Sequence, residues 1–225
     1  MQIRLGLTAR ATIDLDMLFR GGAWDWLNQF DNALSTCEWQ GFTARRKSTP
    51  TEINVVGAHY KPLRFDVQLS YSGRSFSTIR MELAFDASPA TLHDIVEGVD
   101  LGWFGLNTLQ VPCLSIPIQM AQKLHACTDP YDDSEGREND RVRDLADLWL
   151  LETLLQPGDL AKVRAATITT FTQRSKHTWP PTAKANDTWR RDYPKIAAEV
   201  IGAPPTIEDA VTYLNHLITQ VDQAH

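Results

Sequence analysis

The sequence predicts an α+β fold with sheet and helix segregated along the chain. Up to about residue 110, apolar and polar side chains alternate at period two, the pattern of half-buried strands. Beyond it, apolar residues recur at helical spacing and the runs are separated by proline and glycine. The composition, 43% hydrophobic and 22% charged over 225 residues, is that of a globular chain able to bury a sizeable core. The expected organisation is a sheet domain over 1–110 and a helical domain over 111–225.

Thr12 to Phe19 alternates, with Ile13, Leu15 and Met17 to one side and Asp14 and Asp16 to the other. Trp24 to Leu34 has helical spacing, and Gly41 to Ser48 reads as a strand. Leu63 to Tyr71 and Phe76 to Phe85 read as a hairpin around a turn at Ser72-Gly73-Arg74-Ser75, and Ser88-Pro89 ends the sheet-like part. Ile116 to Cys127 is a predicted helix with Pro117 in its first turn, where the missing N–H costs nothing. Asp129 to Asp140 is an acidic loop. Val142 to Leu155, Leu160 to Phe171, Trp189 to Ile201 and Ile207 to Val221 are predicted helices, the last capped by Thr206 and Asp209.

Several classes are excluded by simple features. The first ten residues hold two arginines and no long apolar run, unlike a secretory signal. Leu145 to Leu155 is too short and too charged to span a bilayer. Cys37, Cys113 and Cys127 form neither a disulfide framework nor a zinc motif, so the expected location is the cytoplasm. A net charge of −6 is unlike a protein that coats nucleic acid, although Arg45-Arg46-Lys47, Arg137 to Arg143 and Arg190-Arg191 are local basic runs. The histidines show no metal-ligand spacing.

Four sets of residues bear chemistry. Asp14 and Asp16, two apart on a strand, share a face. They are either solvent-facing strand residues or a pair of oxygen ligands for Mg²⁺, which is commonly held by one or two carboxylates plus substrate phosphates. Glu82 lies on the polar face of a later strand. It is either a third metal carboxylate or the ion-pair partner of Arg64 or Arg80, and Asp66 is a rival for the same role. Lys123 falls on the apolar side of its helix, between Met120 and Cys127, where it either snorkels to water or serves as a point charge for phosphate. Asp144 stacks in one column with Leu148 and Leu151, with Asp147 one turn on. Thr12 shares the face of Asp14. A phosphate on its hydroxyl would add about −1.5 to −2 charges beside the carboxylates and repel a triphosphate.

In order along the chain, Arg10-Ala11-Thr12-Ile13-Asp14-Leu15-Asp16, the strand Glu82, Ala121-Gln122-Lys123-Leu124-His125-Ala126 and Arg141-Val142-Arg143-Asp144-Leu145-Ala146-Asp147-Leu148 resemble the AbiEii-type nucleotidyltransferase toxins, which include the mycobacterial MenT toxins. The resemblance covers residues 1 to about 155. It implies a DNA-polymerase-β-like nucleotidyltransferase core with a mixed sheet and a helical C-terminal domain that completes the active site. It also implies transfer of NMP from an NTP to RNA, the 3′ end of tRNA above all, with Mg²⁺ as cofactor and a cognate antitoxin as partner. Asp14 and Asp16 would hold the metal with Glu82 as third carboxylate. Lys123 would meet the phosphates, Asp144 would be catalytic, and Arg10, Thr12 and Asp147 would border the nucleotide. In one respect the sequence departs from the family: no glycine-serine loop lies in the nine residues before Arg10, and Gly21-Gly22 comes after the aspartates. That departure motivates one alternative, a nucleotide- or RNA-binding member with little transfer activity; a second is transfer to a protein or small molecule, for which Asp14, Asp16 and Lys123 would serve equally well.

Overall fold

The computed structural model describes residues 4, 14–19, 23–53, 61–85, 93–98, 100, 102, 105, 108–130, 136 and 138–225. The chain divides into two compact units. One comprises Ala11–Thr91 with Gly102–Leu106, the other Met1–Arg10, Leu92–Leu101 and Asn107–His225. No helix among the described residues is long and apolar enough to cross a membrane.

The sheet unit has strands β1 (Asp14–Phe19), β2 (Glu38–Trp39), β3 (Phe42–Arg46), β4 (Thr51–Glu52), β5 (Leu63–Tyr71) and β6 (Arg74–Phe85), with helix α1 (Ala23–Thr36) between the first two. Their order is β1-β6-β5-β3-β2, with β4 also on β5. β1 runs parallel to β6 and every other pair is antiparallel, so the sheet is mixed. Alternation sends Phe65, Val67, Met81 and Leu83 to one face, where α1 adds Leu27 and the partly buried Trp26, Phe30 and Leu34. Trp26 stacks on Phe30 at 4.8 Å, and Phe30 meets Phe65 edge-on at 5.8 Å. Arg46 of β3 reaches Asp31 of α1 (Nε to Oδ1, 2.9 Å), tying helix to sheet. That hydrogen bond holds the Asp31 carboxyl below its ordinary range.

The β5–β6 turn is tighter than predicted. It has two residues, Ser72 (φ 47°) and Gly73 (φ 76°), and β6 begins at Arg74. Positive φ at both central positions matches the right-handed twist of the flanking strands, which a four-residue turn is not needed to achieve.

The helical unit opens with a hairpin, β7 (His93–Glu97) and β8 (Gln110–Leu114), and continues as α2 (Ile116–Thr128), α3 (Val142–Glu152), α4 (Asp159–Arg174), α5 (Asp187–Ala197) and α6 (Ile207–Gln223). Arg4 anchors this hairpin, donating to Asp94 (2.8 Å) and to the Leu114 carbonyl (2.6 Å). The core contains Met120, Leu124, Leu148, Leu151, Val163, Trp189, Leu214 and Leu217, all almost without exposure. Asn186 caps α5 by accepting from the Trp189 N–H (2.8 Å), and Thr206 caps α6 by accepting from that of Asp209 (3.1 Å). α5 stops earlier than its apolar spacing suggests. Pro194 lies near its end, and short-range bonds from Glu199 and Val200 tighten the chain before Gly202 turns at φ 74°.

Candidate active site

The chemistry-bearing side chains lie in two sets, one on each unit. On the sheet unit, the parallel register of β1 and β6 places Asp14 beside Arg80 and Asp16 beside Glu82. The β5–β6 register then places Asp66 beside Arg80 and Arg64 beside Glu82. Residues opposite one another across a ladder share a face. The face away from α1 therefore carries two rows, Asp14-Arg80-Asp66 and Asp16-Glu82-Arg64, in which carboxylates and guanidinium groups are interleaved. Glu82 is engaged by Arg64 (Nε to Oε1, 2.8 Å), and Arg80 stands 3.9 Å from Asp66. Of the two ion-pair partners weighed from the sequence, Glu82 takes Arg64, while Arg80 lies in the other row between Asp14 and Asp66.

On the helical unit, Lys123 of α2 turns its ammonium toward α3. Nζ lies 2.7 Å from Asp144 Oδ1 and 2.8 Å from Asp147 Oδ2. Arg141 closes the other side of Asp144 (Nε to Oδ2, 2.6 Å). The two carboxylates are 7% and 2% exposed and Lys123 is 19% exposed, so this is a buried cluster with one accessible edge. Burial opposes charge on Lys123, but the two aspartates outweigh it and hold the ammonium above the ordinary lysine range. Arg141 is likewise raised, burial being outweighed by Asp144. An ammonium has three N–H donors and two are spent on aspartates, which leaves one for a ligand.

One residue that holds this cluster in place was read from the sequence only as part of an acidic loop. Asn139 is buried. Its Nδ2 donates to the carbonyls of Ala126 and Asp129 (both 2.9 Å), and its Oδ1 accepts from the Arg141 N–H (2.8 Å). It thereby joins the end of α2 to the start of α3 and sets the offset at which Lys123 meets Asp144 and Asp147. The signal available in the sequence was an Asn three residues before the helix start, where its side chain can accept from a backbone N–H two residues on. Cys127 packs beneath, and burial first, then the nearby Asp144, pushes its thiol well above the ordinary range, so it is no nucleophile.

The Arg190-Arg191 run is balanced by neighbouring carboxylates. Arg190 stands 3.4 Å from both Asp187 and Glu208, and Arg191 is 2.9 Å from Asp192. Arg10 and Thr12 lie outside the described residues. His125 and His177 approach within 4.7 Å, beside Phe171, as parts of the core.

The described residues thus define a mixed sheet with two carboxylates on one face of an edge strand and, in the other unit, a buried lysine–aspartate cluster. The family model for "Nucleotidyl transferase AbiEii toxin, Type IV TA system" matches residues 1–216, and the chain belongs to that family. Among solved structures it is similar to MenT4, a nucleotidyltransferase toxin from Mycobacterium tuberculosis H37Rv. The TM-score is 0.59 at 16% identity, covering 99% of this chain and 72% of the other. No curated protein matches. The α+β nucleotidyltransferase fold and the enzyme class expected from the sequence are therefore both found.

Members of such a family work with an NTP and a divalent cation. The donor set here fits a hard cation: Asp14 and Asp16 offer oxygens on one face of one strand, with Glu82 next to Asp16. Among the described residues no three carboxylate, imidazole or thiolate groups are gathered closely enough to hold an ion by themselves.

Proposed function

We propose that the protein transfers NMP from an NTP to the 3′ end of an RNA, tRNA in particular, as the toxin of a pair with a cognate antitoxin in the cytoplasm. The observation that carries this reading is the pairing of Asp16 with Glu82 in the β1–β6 register, with Asp14 on the same face. Asp14 and Asp16 would hold Mg²⁺ together with substrate phosphate oxygens. The ion would supply charge neutralisation at the reacting phosphate and lower the pKa of the attacking hydroxyl.

The chain's own residues supply positioning. Arg64 holds Glu82 along the sheet face, and yielding Glu82 to a metal would cost only a partly exposed ion pair. Lys123 would give its remaining N–H to a triphosphate oxygen, while Asp144 and Asp147 fix its direction. A cation whose orientation is prepaid by buried partners stabilises developing charge without reorganising during the reaction. Arg10, Thr12 and Asp147 are assigned to the border of the nucleotide.

Incubation with total bacterial RNA, Mg²⁺ and each α-labelled NTP in turn tests the proposal. A labelled band of tRNA size that Asp14→Ala abolishes is the expected result. Label entering protein or a small acceptor but never RNA would replace the acceptor, and unchanged labelling in Asp14→Ala would overturn the site.

A further inference from the structure

The end of the sheet opposite the one where β6 finishes carries a group of aromatic rings that the helix α1 does not cover. Two hairpin turns lie side by side there, joined by the Ser72 N–H donating to the Gly41 carbonyl (2.8 Å). Gly41 sits at φ 83°, and a Cβ there would stand 3.3 Å from the Tyr71 ring, so glycine lets that ring lie over the turn. The register shift at Leu69/Ser70 inserts Phe76 as an extra residue in β6. Phe42 holds both neighbours: Tyr71 at 4.8 Å, and Phe76 at 5.4 Å with the rings at 83°. Tyr71 is 49% and Phe76 64% exposed.

What surrounds these rings is mostly polar, with Glu38 of β2 the nearest strand carboxylate in the register. The stretch between Asp66 and Glu82 contains no carboxylate, although Asp and Glu number 28 of 225 residues. It reads Ser70-Tyr71-Ser72-Gly73-Arg74-Ser75-Phe76-Ser77-Thr78, alternating rings with hydroxyls and one guanidinium. Arg74 pairs with Tyr71 in the register, so both are on one face. Among the described residues no carboxylate meets Arg74, whereas Arg46, Arg190 and Arg191 are all ion-paired. Exposed ring faces set among hydroxyls and unpaired arginine match the flat, sequence-tolerant π-surface and the phosphate charge of a single nucleic-acid strand.

We infer that the β2–β3 and β5–β6 turns form a stacking platform for unpaired RNA bases, with Tyr71 and Phe76 as the stacking rings and Arg74 on the phosphate. This rests on the reading of RNA as acceptor and names where the strand is gripped away from the carboxylates.

The test is fluorescence anisotropy of a fluorescein-labelled, unstructured RNA 20-mer against the full chain, with neither NTP nor metal present, so that it is independent of transfer. Tyr71→Ser and Phe76→Ser should each weaken binding about tenfold, and Tyr71→Phe with Phe76→Tyr should keep it. Arg74→Gln should lower the slope of log K against log salt by about 0.7. Both rings are exposed, so a matching thermal melt confirms that the serine variants are folded. Equal RNA affinity in the wild type and the double serine variant would overturn the platform. So would a change confined to self-association on sedimentation, which would make the rings an interface between copies. Ring-dependent binding without any transfer to RNA would keep the platform and remove the acceptor reading instead.

Discussion

The ion pairs of the sheet face are partly exposed, whereas the helical unit buries the carboxylates of its own cluster. Glu82 and Arg64 are 28% and 45% exposed, and Asp144 and Asp147 are 7% and 2% exposed. An exposed pair contributes on the order of 0–1 kcal/mol, while stranding a buried charge costs about 3–5 kcal/mol. The open face is free to exchange partners when a substrate arrives. The buried cluster is a fixed part of the fold that also presents one N–H. Activity lost on mutating the helical cluster is therefore ambiguous between chemistry and folding, and activity lost on the sheet face is not.

Substitutions sharpen this contrast. Lys123→Ala leaves two aspartates facing each other out of water and should lower stability by about 3–5 kcal/mol in urea denaturation. A loss below about 1 kcal/mol would mean that water reaches the cluster freely and that the contrast is wrong. Asn139→Ala should follow with about 1–3 kcal/mol, since it leaves the carbonyls ending α2 without their donor.

A loss of stability toward mild acid should arise from His125 and His177 of the helical unit. Burial, then the positive charge of Arg174 and His177, pushes His125 down to about 4, with Lys176 adding and Asp129 opposing. His177 is lowered as well, chiefly by burial. An imidazole held neutral in the fold takes up a proton on unfolding, so the unfolded chain binds more protons as acid is added. Stability is then full above about pH 6.5 and is lost as pH falls toward 4, by about 3 kcal/mol in total for His125. His125→Gln should flatten that slope between pH 4.5 and 6.5, and an unaltered slope would place the titration elsewhere.

The smallest stability effects belong to the sheet face. Arg64→Gln should cost about 0–1 kcal/mol, and Asp16→Asn should stay within about 0.5 kcal/mol. Yet Asp16→Asn should cut NMP transfer at least about a hundredfold, because a preorganised charge at the reaction centre is removed. A melt that moves as much as the activity would cancel the distinction between the two regions.

Much of this was legible in the sequence. Period-two alternation at Asp14-Leu15-Asp16 identified the shared face, because strand geometry is local. Helical spacing around Lys123 and Asp144 identified which sides were buried, for the same reason. The β7–β8 hairpin was not anticipated: its strands have five residues each, and Pro112 within β8 removes a ladder donor, the usual mark of a non-strand. The pairing of Glu82 with Arg64 needed the β5–β6 register, which the turn decides, and that turn uses a non-glycine residue at positive φ that spacing does not reveal. The linear reading drew one boundary near residue 110, while contacts interleave segments 92–101 and 102–106 between the units. Such grouping depends on partners distant in sequence.

The most direct test of the central claim is labelling with α-labelled NTP on two tRNA samples, one intact and one with its 3′-terminal diol oxidised by periodate. Label on the intact tRNA only, lost in Asp16→Asn protein whose melt is unchanged, is the predicted result. Equal label on both samples, or full label with Asp16→Asn, would contradict transfer to the 3′ end by a site built on the open sheet face.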